Sequence, residues 1–420
     1  MNVFANYAHA GALGRTGENV RFSYQREAGP EQTVSLTMPL SETPYLAPPG
    51  EIHPIFDMNL PEGALHEAIR RMFLKVLPEI DKLTMLQITG RSQIGRLRVA
   101  GSVEEIKAVP ERPLHDLLAS AGTEDMFDDL LENYARYSGI AGAQPKVLAR
   151  DNGSLASTAG YFSPSTASPT ASADKTPERV TATGTTHIVK MFDSAQYPAL
   201  ATNEFLCLQA AKKAGLPVPA VWLAENRRCL VVERFDTKPD GGYLAFEDCC
   251  ALDRRTSVEK YNGTYEQTAK LIAQTVAGVP IVGALRIFFE SLVLSCAVRN
   301  GDAHRKNFGV LYDTPGQVWL APIYDIITTT PYLPNDTWAL LMDGSKRWPS
   351  RKKLMRFGVN SCLLTARQAR ESIDKTVDAV RATLPELDTH MADASSGGTE
   401  REFLEKIRHA WNTGIASLAV

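Results

Sequence analysis

From Val282 to Val298 the chain is apolar apart from Arg286 and Glu290. A helix of that composition has no face to give to water, so the rest of the chain has to enclose it. It ends at Asn300-Gly301-Asp302-Ala303-His304-Arg305-Lys306-Asn307, and Phe308 to Tyr312 then reads as a short strand. A tight polar loop between a core helix and a strand holds reactive groups rigidly while leaving them exposed.

The chemistry that fits this loop is phosphoryl transfer. Asp302 would orient or deprotonate an incoming hydroxyl, and Asn307 would reach back to a metal. Asp325, in Ile323-Tyr324-Asp325, would bridge that metal to phosphates. Asp-x4-Asn with a later Asp is the arrangement of kinase catalytic loops. Two other readings stand beside it: plain turn chemistry at Asn-Gly-Asp with His304 a solvated neighbour, and a metal-dependent hydrolase using Asp302, His304 and Asp325.

A chain of 420 residues has room for two or three domains. Its 44% hydrophobic and 22% charged residues are those of an ordinary soluble protein. The net charge of −3 gives no electrostatic case for wrapping nucleic acid alone. The six cysteines include no C-x-x-C and sit in apolar surroundings, as buried reduced thiols of a cytoplasmic protein do. Met1 to Leu13 lacks a basic segment followed by an apolar one, so no signal peptide is expected. The 282–298 stretch is too short and too charged to span a membrane.

Along the chain, residues 1–110 read as a small α+β unit. Val20–Tyr24 and Val34–Met38 alternate like strands, a helix starts near Ala64, and Gly95–Val99 is a closing strand. The polar stretch 101–112 is the expected boundary. Residues 111–237 read as a nucleotide-binding region: a helix pair over 113–136, a glycine turn at Ser138–Leu148, a strand at Thr186–Lys190, a helix at Asn203–Ala214 capped from Ala201–Asn203, and a buried strand at Cys229–Asp236. Between Asp151 and Thr186 the composition turns to Ser, Thr, Ala, Gly and Pro, which predicts a mobile loop. Residues 238–420 read as a mainly helical lobe, with helices near 366–383 and 402–418.

Read in order, this is a set of parts for a nucleoside triphosphate. Gly139 and Gly142 would let backbone N–H groups approach phosphates. Lys190 would place a point charge on them, with Glu204 to hold it. The backbone at Glu233 and Phe235 could meet an adenine edge while Phe235 packs on the ring.

The motifs resemble the HipA family of serine/threonine kinases, the toxins of bacterial HipBA-type toxin–antitoxin systems. Pro54-Ile55-Phe56-Asp57 and Asn59-Leu60-Pro61-Glu62-Gly63 are similar to that family's N-terminal motif. Ala141-Gly142-Ala143-Gln144-Pro145-Lys146 is similar to its A-G-A-Q-x-K loop, and Thr186–Lys190 to its ATP-lysine strand. Val232–Asp236 is similar to its V-E-R-F-D hinge, and Glu247-Asp248-Cys249 with Lys260-Tyr261 to its E-D-x-C…K-Y pair. The resemblance implies an α+β fold, with a small N-terminal domain on a two-lobed kinase-like body and a largely helical C-terminal lobe. It implies ATP and Mg2+ as cofactors, Asp302 as base, Asn307 and Asp325 as metal ligands, and ATP contacts from Gly139, Ile140, Ala141, Gly142, Ala143, Gln144, Lys190, Glu233 and Phe235. His304 would touch the phosphate or share the proton transfer, its ordinary pKa near neutrality suiting that work. The resemblance further implies a protein substrate such as glutamyl-tRNA synthetase, growth arrest and persistence as outcome, and a helix-turn-helix HipB-like antitoxin through which the chain would reach operator DNA. A catalytically silent corepressor or scaffold of such an antitoxin is the alternative. Where the family has an autophosphorylated serine before its glycine turn, this chain has Gly139, with Ser138 one residue earlier as the candidate acceptor.

Overall fold

A computed structural model describes residues 1–73, 77, 79–106, 108–119, 130, 133–142, 144–155, 184–192, 196–239, 241–393 and 398–419. The fold is α+β, with three antiparallel or mixed sheets and a helical mass at the C-terminal end.

The first sheet has the order β4-β3-β2-β1-β5: β1 Asn2–Ala5, β2 Ala8–Thr16, β3 Asn19–Tyr24, β4 Tyr45–Ala47 and β5 Leu97–Ala100. Val3, Leu13, Phe22 and Val99 point from it into a core closed by Phe56, Leu86 and their neighbours. The expected strand at Val34–Met38 does not form; its one ladder contact is a bridge between Ser35 and Met38. The Ser35 hydroxyl and the Leu36 N–H instead donate to the fully buried Glu247 carboxylate, at 2.7 Å each. A buried carboxylate needs donors, and it has taken those a neighbouring strand would use.

The second sheet runs β6-β7-β8-β10-β9, with β6 Glu111–Arg112, β7 Lys146–Asp151, β8 His187–Met191, β9 Val221–Leu223 and β10 Cys229–Glu233. Behind β8 and β10 lies the helix Leu200–Lys213. It starts three residues before Asn203, the expected first residue. Asn203, read as a cap residue, is inside the helix and clamps Thr328 instead, donating to its carbonyl at 2.9 Å and accepting from its N–H at 2.8 Å. Of the expected helix pair, Leu114–Ala119 is helical, while 120–129 fall outside the described residues, as does 156–183 of the Ser/Thr-rich loop.

The third sheet, β11 Ala245–Asp248, β12 Gly309–Tyr312 and β13 Val318–Leu320, packs beside the helix Ile281–Ala297. That helix is the centre of the largest core. Leu285, Phe288, Leu292 and Cys296 are fully buried, and the helices Ala366–Arg381 and Gly398–Leu418 pack on it. Arg286 and Glu290, its two charges, pair with each other at 2.9 Å. All six cysteines are buried and none is bonded to another. Among the described residues no helix is long and apolar enough to cross a membrane.

Candidate active site

The catalytic loop is held from several sides. The Gly301 N–H donates to Thr329 Oγ1 at 2.8 Å, and the Asp302 N–H donates to Asn300 Oδ1 at 3.0 Å. Tyr265 donates its hydroxyl to the Ala303 carbonyl at 3.0 Å. The buried Arg305 guanidinium reaches Asp253, the Asn262 carbonyl and Gln267. Lys306 Nζ donates to the Met58 carbonyl of the N-terminal domain at 2.7 Å. So pinned, the loop presents Asp302 to a cleft of about 930 Å³ between the two lobes, with the N-terminal domain adding Met58, Asn59 and Ile94 to its wall.

Lys190, Glu204 and Asp325 meet in the same cleft. Lys190 Nζ lies 2.5 Å from Glu204 Oε1 and 3.0 Å from Asp325 Oδ1. Burial alone would lower the Lys190 pKa, but Asp325 and Glu204 outweigh it and raise the ammonium above its ordinary value. Burial would raise Asp325, yet Lys190 and Lys146 hold its carboxyl well below the usual range. Asp325 sits at φ +55°, a left-handed conformation that Asp tolerates better than most residues. Its carbonyl and that of Asp302 both accept from Asn307 Nδ2, at 3.1 Å each. Asn307 is thereby anchored through its nitrogen, which turns its Oδ1 away as an acceptor.

That donor set suits a small hard cation. Mg2+ takes one or two protein oxygens and completes its shell with water and phosphate. Among the described residues no group of three His, Cys, Asp or Glu forms a closed metal cage. The amide oxygen of Asn307 and the carboxylate of Asp325 are the residues that fit it.

Asp302 accepts a 2.6 Å hydrogen bond from Tyr261. Burial raises its carboxyl to about 6, with the Tyr261 bond opposing. For His304 the structure departs from expectation in the pKa alone. Burial, then the charge of Lys260, lowers its pKa to about 3, so the ring is neutral near pH 7 and not poised at its pKa. Its Nε2 lies 4.0 Å from Asp302 Oδ1, and its buried Nδ1 has no described partner.

Of the glycine turn, Ile140, Ala141, Gly142 and Gln144 line the cleft, and Ala143 lies outside the described residues. Gly142 has φ +118°, and a Cβ there would sit 2.3 Å from Lys146 Nζ. Gln144 Oε1 is buried without a described partner. Gly139 is not at the cleft. It packs on the N-terminal domain, where a Cβ would meet Gln93 Cβ at 2.5 Å, and its N–H donates to the Ser92 carbonyl. Ser138 is fully buried; its hydroxyl donates to the Tyr134 carbonyl and accepts from the Leu148 N–H. It cannot meet a phosphoryl donor unless this segment leaves its seat. At the hinge, Val232, Arg234 and Phe235 line the cleft. The Glu233 N–H is already given to the Ala220 carbonyl. Phe235 packs on Phe246 and Tyr324 at 5.7 and 5.5 Å between ring centres.

Sequence reasoning missed Lys146. It pairs across the sheet with Lys190, lines the cleft and is 4% exposed, and no described residue gives it a hydrogen bond or ion pair. Burial lowers its pKa, with Asp325 opposing. Its signal in the sequence is that Lys146 ends the Ala141–Lys146 motif. Tyr261 was likewise visible only as part of a motif.

The profile of the HipA-like C-terminal domain matches residues 138–384, and that of the HipA N-terminal domain matches residues 1–100. The chain is 26% identical over 217 residues to the candidate kinase Y4dM of Sinorhizobium fredii, covering 48% of this chain and 50% of that protein. It thus spans about half the length of that relative. It is 28% identical over 354 residues to the candidate kinase Y4mE of the same organism, covering 77% and 74%. Among solved structures, a chain of the Shewanella oneidensis MR-1 HipA, HipB and operator DNA complex superposes with a TM-score of 0.70 at 18% identity, covering 99% of this chain and 96% of that one.

Proposed function

This chain belongs to the HipA family, and from that premise we propose that it is an ATP- and magnesium-dependent serine/threonine protein kinase. The observation that carries the reading is the Lys190–Glu204–Asp325 cluster sharing one cleft with Asp302. A hydrolase has no need of a lysine fixed between two carboxylates beside a second buried lysine, whereas a triphosphate is a fitting partner for such cations.

In this reading Lys190 and Lys146 hold the phosphates, and Gly142 leaves room for them. The apolar end at Ile188, Val232 and Phe235 takes the base. Asn307 and Asp325 would hold Mg2+, which supplies charge neutralisation when bound. Asp302 accepts the proton of the incoming hydroxyl, which displaces the Tyr261 hydroxyl from Oδ1. A neutral His304 turns its ring toward the same space and acts as a hydrogen-bonding group.

The resemblance supports an aminoacyl-tRNA synthetase, such as the glutamyl enzyme, as the protein substrate, and growth arrest as the consequence. A helix-turn-helix partner of the HipB kind would link the chain to operator DNA, the pairing named for the Shewanella complex. ATP as donor goes with a cytoplasmic setting.

The test is intact mass after incubation with ATP and magnesium, for the parent, Asp302→Ala and Lys190→Ala, with melting followed beside it. The parent gains phosphate on itself or on an added synthetase, and neither variant does so. Nucleotide at about 100 times its Kd raises stability by about 2.7 kcal/mol. Absence of both transfer and nucleotide-dependent stabilisation removes the kinase reading.

A further inference from the structure

Two motifs have no task in the nucleotide chemistry: Pro61-Glu62-Gly63 of the N-terminal domain and Lys260-Tyr261 of the helical lobe. They are far apart in sequence and meet in the fold. Lys260 Nζ lies 3.4 Å from Glu62 Oε2. With Tyr261, these residues line a second cavity, of about 670 Å³, between the N-terminal domain and the helical lobe. Lys260 and Tyr261 also line the catalytic cleft, so the two spaces share a wall. The far side of that wall is the 2.6 Å bond from Tyr261 to Asp302. A segment lying in the groove therefore runs up to the carboxylate that would take a proton from the acceptor hydroxyl.

The groove's charges are mostly spent. Asp57 pairs with Lys82 at 2.9 Å and accepts the N–H and hydroxyl of Ser257 at 2.8 Å each. Lys82 also pairs with Glu51, and Asp81 caps Thr84 and pairs with Arg15. Glu62 differs. Its Oε2 faces Lys260, but its Oε1 is buried and accepts no hydrogen bond from any described residue. A buried carboxylate oxygen without a donor is costly and rare. Beside it, Val258 is 83% exposed and Tyr261 42%, apolar surface at the rim that a bound chain would cover.

We propose that this groove docks the acceptor segment of the substrate protein, and that Glu62 selects a Lys or Arg within a few residues of the phosphorylated hydroxyl. The proposal rests on the kinase reading above. An extended segment suits a channel leading to one carboxylate. The Glu62 side chain is 27% exposed, so a turn of its carboxylate brings Oε1 to a cationic side chain that supplies the donor it lacks, in a charge-assisted bond. Tyr261 then acts as a positioning residue: its hydroxyl stands where the acceptor hydroxyl must come, and its ring forms the wall along which the segment lies.

The test is a positional-scanning peptide library with Ser or Thr fixed at the centre, phosphorylated by the full chain with ATP and magnesium. Parent, Glu62→Gln and Glu62→Arg are compared. The parent favours Lys or Arg at one position near the acceptor by about tenfold. Glu62→Gln flattens that preference, and Glu62→Arg turns it toward acidic residues. The ATP-dependent rise in melting temperature persists in both variants, which shows that they fold and bind nucleotide. A parent that phosphorylates peptides with no basic preference overturns the proposal, and so does a preference unchanged in both variants. If no peptide is modified while ATP still stabilises the parent, the groove is refuted and the kinase reading stands. If ATP does not stabilise it either, both fall.

Discussion

Lys146 and Lys190 are neighbours across one ladder, yet the protein treats them oppositely. Lys190 is clamped by two carboxylates, whereas Lys146 is buried with no described partner, and the fields of Asp325, Glu204 and Glu62 only partly offset its burial and the charge of Lys190. Removing one member of a buried ion cluster strands the others, while removing an unpaired buried charge relieves a desolvation cost. Lys190→Met is therefore expected to destabilise the free protein by about 3–5 kcal/mol. Lys146→Met should leave its melting temperature unchanged or higher, and should weaken ATP binding about tenfold or more. Melting with and without ATP checks both signs. A Lys146→Met protein that melts lower than the parent without ATP would refute this account. At this scale the residues singled out in the sequence, Lys190, Glu204, Asp302, Asn307 and Asp325, do come together at one cleft. The sequence was a poor guide to protonation. The neutrality of His304 comes from burial and from Lys260, forty-four positions away in the chain, and no local pattern carries that (304 − 260 = 44).

Among elements, long apolar ones were legible and short polar ones were not. The helix Ile281–Ala297 lies within one residue of its expected span because its composition admits no other place than a core. Strand β1 is only four residues long, and β2, rich in Ala and Gly, lacks the β-branched alternation that would reveal it. Val34–Met38 has that alternation, but Glu247, more than two hundred residues on, claims its donors. The helix Pro54–Asp57 is another short element with a distant dependence. His53 Nδ1 accepts the Ile55 N–H as its cap, and burial, aided by the charge of Arg254, holds the ring's pKa down to about 4. The unfolded chain binds a proton near pH 6.5 and the folded one near 4, so the unfolded state holds more protons between those values. Stability therefore falls as pH drops through that window and levels off below it. Between pH 7 and pH 5 this residue should cost on the order of 2 kcal/mol, read as a lower urea midpoint. His53→Asn, which keeps a neutral cap, should lose that part of the pH dependence; an unchanged slope would show that His53 is not its source.

At the scale of the whole molecule, the N-terminal domain is joined to the kinase-like body by a buried ionic knot. Arg234 and Asp236 pair at 2.6 Å. Arg234 donates to the Gln93 carbonyl at 3.1 Å, and the Gly95 N–H donates to Asp236 at 2.6 Å. Breaking one side of a fully buried pair leaves the other uncompensated, so Asp236→Ala is expected to cost about 3–5 kcal/mol. It should also split one calorimetric transition into two as the domain loosens from the body. A single transition at the parent's temperature would show that the knot does not bind the two parts. None of these long-range pairs can be read from spacing. The burial of every cysteine has a practical side. With each thiol shielded, and Cys207 and Cys229 pushed up to about 12 by burial, the native chain offers almost no background to maleimide dyes. A single cysteine introduced at Val258 would be the one reactive handle, and a fluorophore there would brighten or dim as the groove fills, giving an optical readout of docking in a protein otherwise silent to thiol chemistry.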